Sequence, residues 1–336
     1  MTEVLPRAWG EPPGSARIRE RPEDFLVEEV LGFEPDGEGE HVFLHLEKRG
    51  RNTQELAREL ARLAGVPERD VGFSGLKDRN AVTRQWFSVG LAGRDEPDWT
   101  ALASGHEVAV LTATRHRRKL RRGVHRRNRF TLILRGWSGD CEAQQGRLQQ
   151  VQFGGVPNYF GEQRFGRDWQ TLRGALEWVR RDRKLRRTQR ALFLSALRGH
   201  VFNRLLAERL SSGDWLRLEV GDMAMLAGTR SQFRVEDDAA DIKNRIDEGD
   251  LHPGLPLPGR GILEECNVHL PAELVPIVEH LAAQGLDLGW RAARVIPDDF
   301  SWEFCDHDTL RLTFSLPAGS YATAVLAECV QYRQEQ

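Results

Sequence analysis

The chain has 336 residues, 40% of them hydrophobic, and a formal net charge of −2; that is room for two ordinary domains with a sizeable core, and it excludes global disorder. No stretch approaches the roughly 20 apolar residues of a membrane span, and the opening MTEVLPRAWGEPPGSAR lacks the pattern of a secretory signal. The four cysteines (Cys141, Cys266, Cys305, Cys329) have neither zinc spacing nor disulfide pairing, so a reduced, cytoplasmic setting is expected.

In chain order, residues 25–30 (FLVEEV) and 41–48 (HVFLHLEK) carry the β-branched, aromatic and alternating residues of strands, joined by the Pro-, Asp- and Gly-rich turn 34–39. Asn52-Thr53-Gln54-Glu55 reads as a capping box opening a helix with Leu56, Leu60 and Leu63 on one face, closed by Gly65 and Pro67. Residues 71–74 predict a short strand, 82–89 (VTRQWFSV) a second, and 130–135 (FTLILR) another. Near Gly155 the texture changes to helix, over 171–179 and 191–210, followed by a loop-rich piece that includes 253–259 (PGLPLPG). Strand character returns at 310–316, and Ser320 is the expected N-cap of a helix running through Cys329. The texture implies an α+β protein in two domains: residues 1–154 and 298–336 form one discontinuous domain, and 155–297 are inserted into it.

The near-neutral charge conceals segregation. Residues 115–129 (RHRRKLRRGVHRRNR) hold eight arginines, one lysine and no acid, and 180–190 (RRDRKLRRTQR) hold seven cations against Asp182. Local positive fields of this kind suit nucleic-acid phosphates, although either run alone fits a solvated surface equally well. Between the strands at 71–74 and 82–89, Lys77 and Arg79 flank Asp78 directly. Opposite charges favour an ionised carboxylate, which can serve as nucleophile or general base; by local pattern alone a surface turn explains the tripeptide as well. Gly72 and Gly75 allow sharp backbone geometry there. Phe25, Asn128 with Phe130, the segment GVPNYFGEQRFG at 155–166, and LPAGSYAT at 316–323 interleave aromatics with Arg and Asn, a composition that suits unstacked bases as well as an ordinary core.

Taken together, RPEDFLVEE, FEPDGEGEH, GLKDRNAVTRQW, GVPNYFGEQRFG and LPAGSYAT, in that order, resemble the TruD family of transfer RNA pseudouridine synthases. The resemblance runs from about residue 17 to about residue 330. It implies a pseudouridine synthase α+β domain of mixed, mainly antiparallel sheet, with the TruD-specific α+β domain inserted. It implies Asp78 as nucleophile and Phe25, Asn128 and Tyr321 as substrate-binding positions; beside Asp78, Lys77 and Arg79 are supporting candidates, either to pair with it or to grip a phosphate. Tyr321 departs from relatives, which commonly carry Phe there. The implied reaction isomerises uridine, expected at position 13 of tRNA, with no cofactor, no metal and no membrane, in a monomer. The alternatives are a non-catalytic RNA-binding protein, a metal-dependent hydrolase using Cys266, His269, Cys305 and His307, and a serine hydrolase at Ser74. Neither Cys/His spacing suits zinc, and Gly72-Phe73-Ser74-Gly75 is not the nucleophile elbow of a hydrolase.

Overall fold

A computed structural model describes residues 5–78, 81–102, 107–181, 183–213, 215–229, 231–237, 240–261 and 268–334. Contacts divide the chain into two compact units. The sheet unit comprises Pro13–Cys141, Pro297–Gly319 and Val330–Gln336, and the helical unit Met1–Pro12, Glu142–Ile296 and Ser320–Cys329. These limits assign 142–154 and 320–329, which sequence texture grouped with the outer segments, to the unit built around 155–296.

The sheet unit is a ten-stranded sheet. Its strands are β1 (Gly14–Ile18), β2 (Phe25–Val30), β3 (His41–Arg49), β4 (Val71–Phe73), β5 (Val82–Gly90), β6 (Val108–His116), β7 (Arg127–Gly139), β14 (Asp298–Phe304), β15 (Thr309–Pro317) and β16 (Gln331–Gln334). The main order is β14-β15-β7-β2-β5-β3-β6, with β4 on β5 and β1 between β7 and β16. Only β2 with β5 and β1 with β16 run parallel, so the sheet is mixed and mainly antiparallel. Helix α1 (Thr53–Leu63) buries Leu56 and Leu60 against Leu44, Leu46 and Phe87. The Asn52 side chain accepts from the Gln54 N–H at 2.8 Å and caps the helix as expected.

In the helical unit, α2 (Cys141–Gly154), α3 (Gln170–Arg181), α4 (Arg187–Ser211), α5 (Ala240–Asp247), α6 (Val275–Ala283) and α7 (Ala322–Cys329) accompany a four-stranded sheet. That sheet is ordered β10 (Gln232–Arg234), β9 (Met223–Leu226), β11 (Leu251–Leu257), β12 (Gly289–Ala292); β8 (Val156–Pro157) and β13 (Arg294–Val295) form a separate pair. Trp178, Phe193, Leu197, Phe202, Leu206, Leu255 and Leu281 form the core. Two expectations fail here. The loop-rich PGLPLPG segment instead contributes most of β11, paired on both sides with β9 and β12. Pro253 keeps a usable acceptor, its carbonyl taking the Ala293 N–H at 2.7 Å, and burial of Leu251 and Leu255 favours the strand over the turn its prolines suggest. Ser320 does not cap α7, which starts two residues later; its hydroxyl donates to Asn158 Oδ1 at 3.1 Å. Among the described residues no helix is long and apolar enough to cross a membrane.

Candidate active site

Strand register builds the site. Alternation places Phe25, Val27 and Glu29 of β2 on one buried face. Asn128 of β7 lies directly opposite Glu29, Thr83 of β5 is paired with both Val27 and Lys48, and Leu46 of β3 faces Gln85. Residues paired across strands point to the same side. A face otherwise made of Phe25, Phe130, Leu132, Leu44 and Phe87 therefore carries an island of buried polar groups: Glu29, Lys48, Thr83, Gln85 and Asn128. Buried polar groups need partners; the loop between β4 and β5 supplies several of them, while Thr83 Oγ1 has no hydrogen-bond partner among the described residues. Gln85 Nε2 donates to the Gly75 carbonyl at 2.5 Å; Thr53 Oγ1 donates to Gln85 Oε1 at 3.0 Å and accepts the Lys77 N–H at 3.1 Å. Lys48 Nζ donates to the carbonyls of Arg51 (2.8 Å) and Asp78 (3.2 Å). Burial pushes the Lys48 ammonium down to about 8, with Asp78 opposing the shift.

This scaffold leaves the Asp78 side chain 33% exposed, with Oδ2 3.2 Å from the Arg19 guanidinium. Arg19 follows β1 in a left-handed backbone conformation (φ 59°), unusual for a residue with a side chain. Its guanidinium also lies 4.1 Å over the Phe25 ring, a cation–π contact. Phe25 and Asp78 are thus joined through one cation. The flanking Lys77, for which pairing with Asp78 was one of two open roles, turns away: its Nζ pairs with Glu29 Oε1 at 2.9 Å and donates to Asn128 Oδ1 at 2.5 Å. Arg79 lies outside the described residues. Asp78 thus meets a cation 59 residues earlier in sequence, Arg19.

The long basic run is tied to the same loop. The Gly123 N–H donates to the Ser74 carbonyl at 2.7 Å, Leu120 N–H to Ser88 Oγ at 2.9 Å, and Arg122 lies 5.0 Å over Phe73. Gly72 is needed for this closeness rather than for a sharp turn: a Cβ there would meet the Leu120 carbonyl at 2.3 Å. Within the run Arg115 pairs with Glu96, Arg117 with Glu38 and Arg127 with Asp298, while Arg118, Arg121, Arg122, Arg126 and Arg129 stay exposed. His125 and Ser74 are hydrogen-bonded side chain to side chain. Burial first, and Lys77 second, push His125 down to about 4.

Tyr321 belongs to the helical unit. Its ring meets Phe160 edge-on at 6.0 Å, and Gly161 has no room for a Cβ, which would lie 2.8 Å from Tyr321 Cδ1. The GVPNYFGEQRFG segment turns out to be scaffold: Tyr159, Phe160 and Phe165 are buried core residues. Asn158 Oδ1 accepts from Arg291 at 2.6 Å, and Arg291 lies 4.1 Å over Phe160. The His307 candidate sits with Asp306 and Asp308 in an exposed turn, their ligand atoms within 4.8 Å of one another; Cys266 lies outside the described residues. The sequence reading missed Arg19, Glu29, Lys48 and His125. Glu29 and Lys48 carried a readable signal, since each falls on the apolar phase of an alternating strand; Arg19 and His125 lie in irregular segments and carried none.

The loop between β4 and β5 of a mixed sheet thus presents a half-exposed aspartate, paired with a cation, beside buried polar groups. A family model described as tRNA pseudouridine synthase D (TruD) matches residues 6–176 and 170–329. A protein of that name from Methylococcus capsulatus is 47% identical over 98% of this chain and 94% of its own. Another, from Proteus mirabilis, is 42% identical over 98% and 97%. A solved structure from Methanosarcina mazei, described as a tRNA pseudouridine synthase D, superposes with a TM-score of 0.68 over 97% of this chain and 96% of that one; at 21% identity it speaks for the fold. The chain belongs to the TruD family.

Proposed function

We propose that Asp78 is the nucleophile of a tRNA pseudouridine synthase that isomerises a uridine, at position 13, in its tRNA substrate. The observation that supports this reading is the half-exposed Asp78 carboxylate, backed by Arg19 on a loop whose backbone is pinned by Lys48 and Gln85. The reaction breaks the bond between ribose C1′ and base N1 and forms one between C1′ and C5. A proton leaves C5 and another is taken up at N1, so the product is an isomer and the balance needs no oxidant or phosphoryl donor. An ionised Asp78 is required for attack, and the Arg19 guanidinium lies 3.2 Å from its carboxylate. The uridine must leave its stack at a cost of roughly a few kcal/mol; contacts to Phe25 and Tyr321 offset part of it, at about 1–3 kcal/mol per stacked base. Asn128 contacts the base edge. The exposed arginines of 115–129 and 180–190 take phosphates. We read the enzyme as a cytoplasmic monomer without cofactor or metal, its 155–297 segment an insertion in the catalytic domain.

The test is Asp78→Asn assayed by mapping pseudouridine in purified tRNA. Loss of product with tRNA affinity unchanged is the expected result. Full product formation would remove Asp78 from the mechanism, and an inactive wild-type protein with intact tRNA binding would favour the non-catalytic RNA-binding alternative.

A further inference from the structure

Beside Asp78 lies a chain of polar side chains, Glu29, Lys77, Asn128, His125 and Ser74, of which the reaction as described uses only Asn128. Its protonation pattern follows from one fact. A lysine ammonium has three donors and no acceptor, so the group of Asn128 held 2.5 Å from Lys77 Nζ must be the carbonyl oxygen. That orientation turns Asn128 Nδ2 toward His125, whose Nε2 is 3.3 Å away. An amide NH2 only donates, so Nε2 must be the bare, accepting nitrogen of the ring. The remaining ring proton then sits on Nδ1 and points to Ser74 Oγ, which also accepts the His125 backbone N–H at 2.9 Å. At the other end Glu29, 1% exposed, pairs with Lys77 at 2.9 Å and takes the Trp86 N–H at 3.1 Å, which keeps the ammonium in place.

We propose that Lys77 is a positioning residue whose charge, anchored by Glu29, fixes the rotation of the Asn128 amide and, through it, the Nδ1–H tautomer of His125. The inference rests on the reading of Asn128 as a base contact and says how that contact is oriented. Among the described residues the amide uses one acceptor position on Lys77 and one N–H on His125, leaving one N–H and one oxygen lone pair in fixed places. A uracil edge offers carbonyl oxygens and an N–H, so a fixed amide discriminates where a freely flipping one accepts either polarity. The depression of His125 to about 4, by burial and then Lys77, agrees with a ring that stays neutral.

Nitrogen NMR of histidine-labelled full-length protein reads the tautomer directly, with the His125 signals assigned by their loss in His125→Gln. A bare Nε2 and protonated Nδ1 are expected at neutral pH; a protonated Nε2 would overturn the proposal. The paired variant Lys77→Met with Glu29→Gln avoids stranding a buried carboxylate. It should let both His125 tautomers appear and lower kcat/KM roughly 10- to 100-fold, the effect of one lost charged hydrogen bond. Lys77→Arg keeps the cation and should keep the tautomer. An unchanged tautomer and unchanged kcat/KM in the paired variant would overturn the role of Lys77, and should that variant not fold, the wild-type spectrum and Lys77→Arg still decide. If Asn128→Ala retains full turnover while wild-type His125 shows the Nδ1–H form, the amide lock stands and the base-contact reading of Asn128 falls.

Discussion

Among the described residues each unit contains one buried histidine beside a cation, and the two are wired differently. In the helical unit Arg294 Nε donates directly to His252 Nδ1 at 3.0 Å, while its terminal nitrogen donates to the carbonyls of Ile246 and Leu251. His252 must therefore carry its proton on Nε2. In the sheet unit Lys77 reaches His125 only through the Asn128 amide, and the resulting tautomer is the opposite one. Both rings are pushed to about 4, burial first and the cation second. A direct guanidinium contact closed by backbone carbonyls is a fixture of the fold. A relay through a side-chain amide leaves hydrogen-bonding capacity for something else, and its lysine is the residue next to Asp78.

That contrast can be broken by substitution. Arg294→Met should give the largest effect, roughly 3 kcal/mol of lost stability, because His252 and two carbonyls lose a charged donor inside the core; a urea titration measures it, and a change below about 1 kcal/mol would make the arginine dispensable. Asn128→Ala should invert the pattern: kcat/KM falls roughly 10- to 100-fold while stability falls by only about 1 kcal/mol, as read from initial rates on tRNA and the same titration. The pH dependence comes next. Folded histidines near 4 against an ordinary 6.5 mean that the folded state binds fewer protons, so their contribution is complete above pH 6.5 and is lost as pH falls to about 4. The urea midpoint should decline across that window, and His125→Gln or His252→Gln should each make the decline shallower. Smallest is Tyr321→Phe, which keeps the ring that meets Phe160; turnover within about twofold is expected, and a larger loss would give the hydroxyl a function.

Much of the scaffold was legible because its signals are local. β2, β3, α1, β5 and α4 fall within a few residues of where alternation and capping put them. β6 was hidden because its end merges into the arginine run, and β11 because its prolines speak for turns while its burial decides otherwise. The expectation for Asp78 rests on family motifs spread over the chain, and its contact with Arg19 was not readable: Arg19 and Asp78 meet through sheet topology, as do Lys77 and Asn128, 51 residues apart. Spacing in sequence reports neighbours along one element; it is silent on pairs that register brings together. Lys77 shows that adjacency in sequence is not contact, since its side chain turns to Glu29 and Asn128 rather than to Asp78.

The strand that delivers Arg19 has a history in time as well as a place in space. β1 pairs in parallel with β16, Ile18 opposite Gln334, so its two edges are complete only after residues more than three hundred positions later have been made. At synthesis rates of about 5–20 residues per second, that interval is roughly 15–60 seconds. During it the nascent chain already owns Asp78 and its loop, but not the finished edge that holds the arginine beside it. The edge that carries Arg19 toward Asp78 is thereby completed only when the last strand of the sheet has been made.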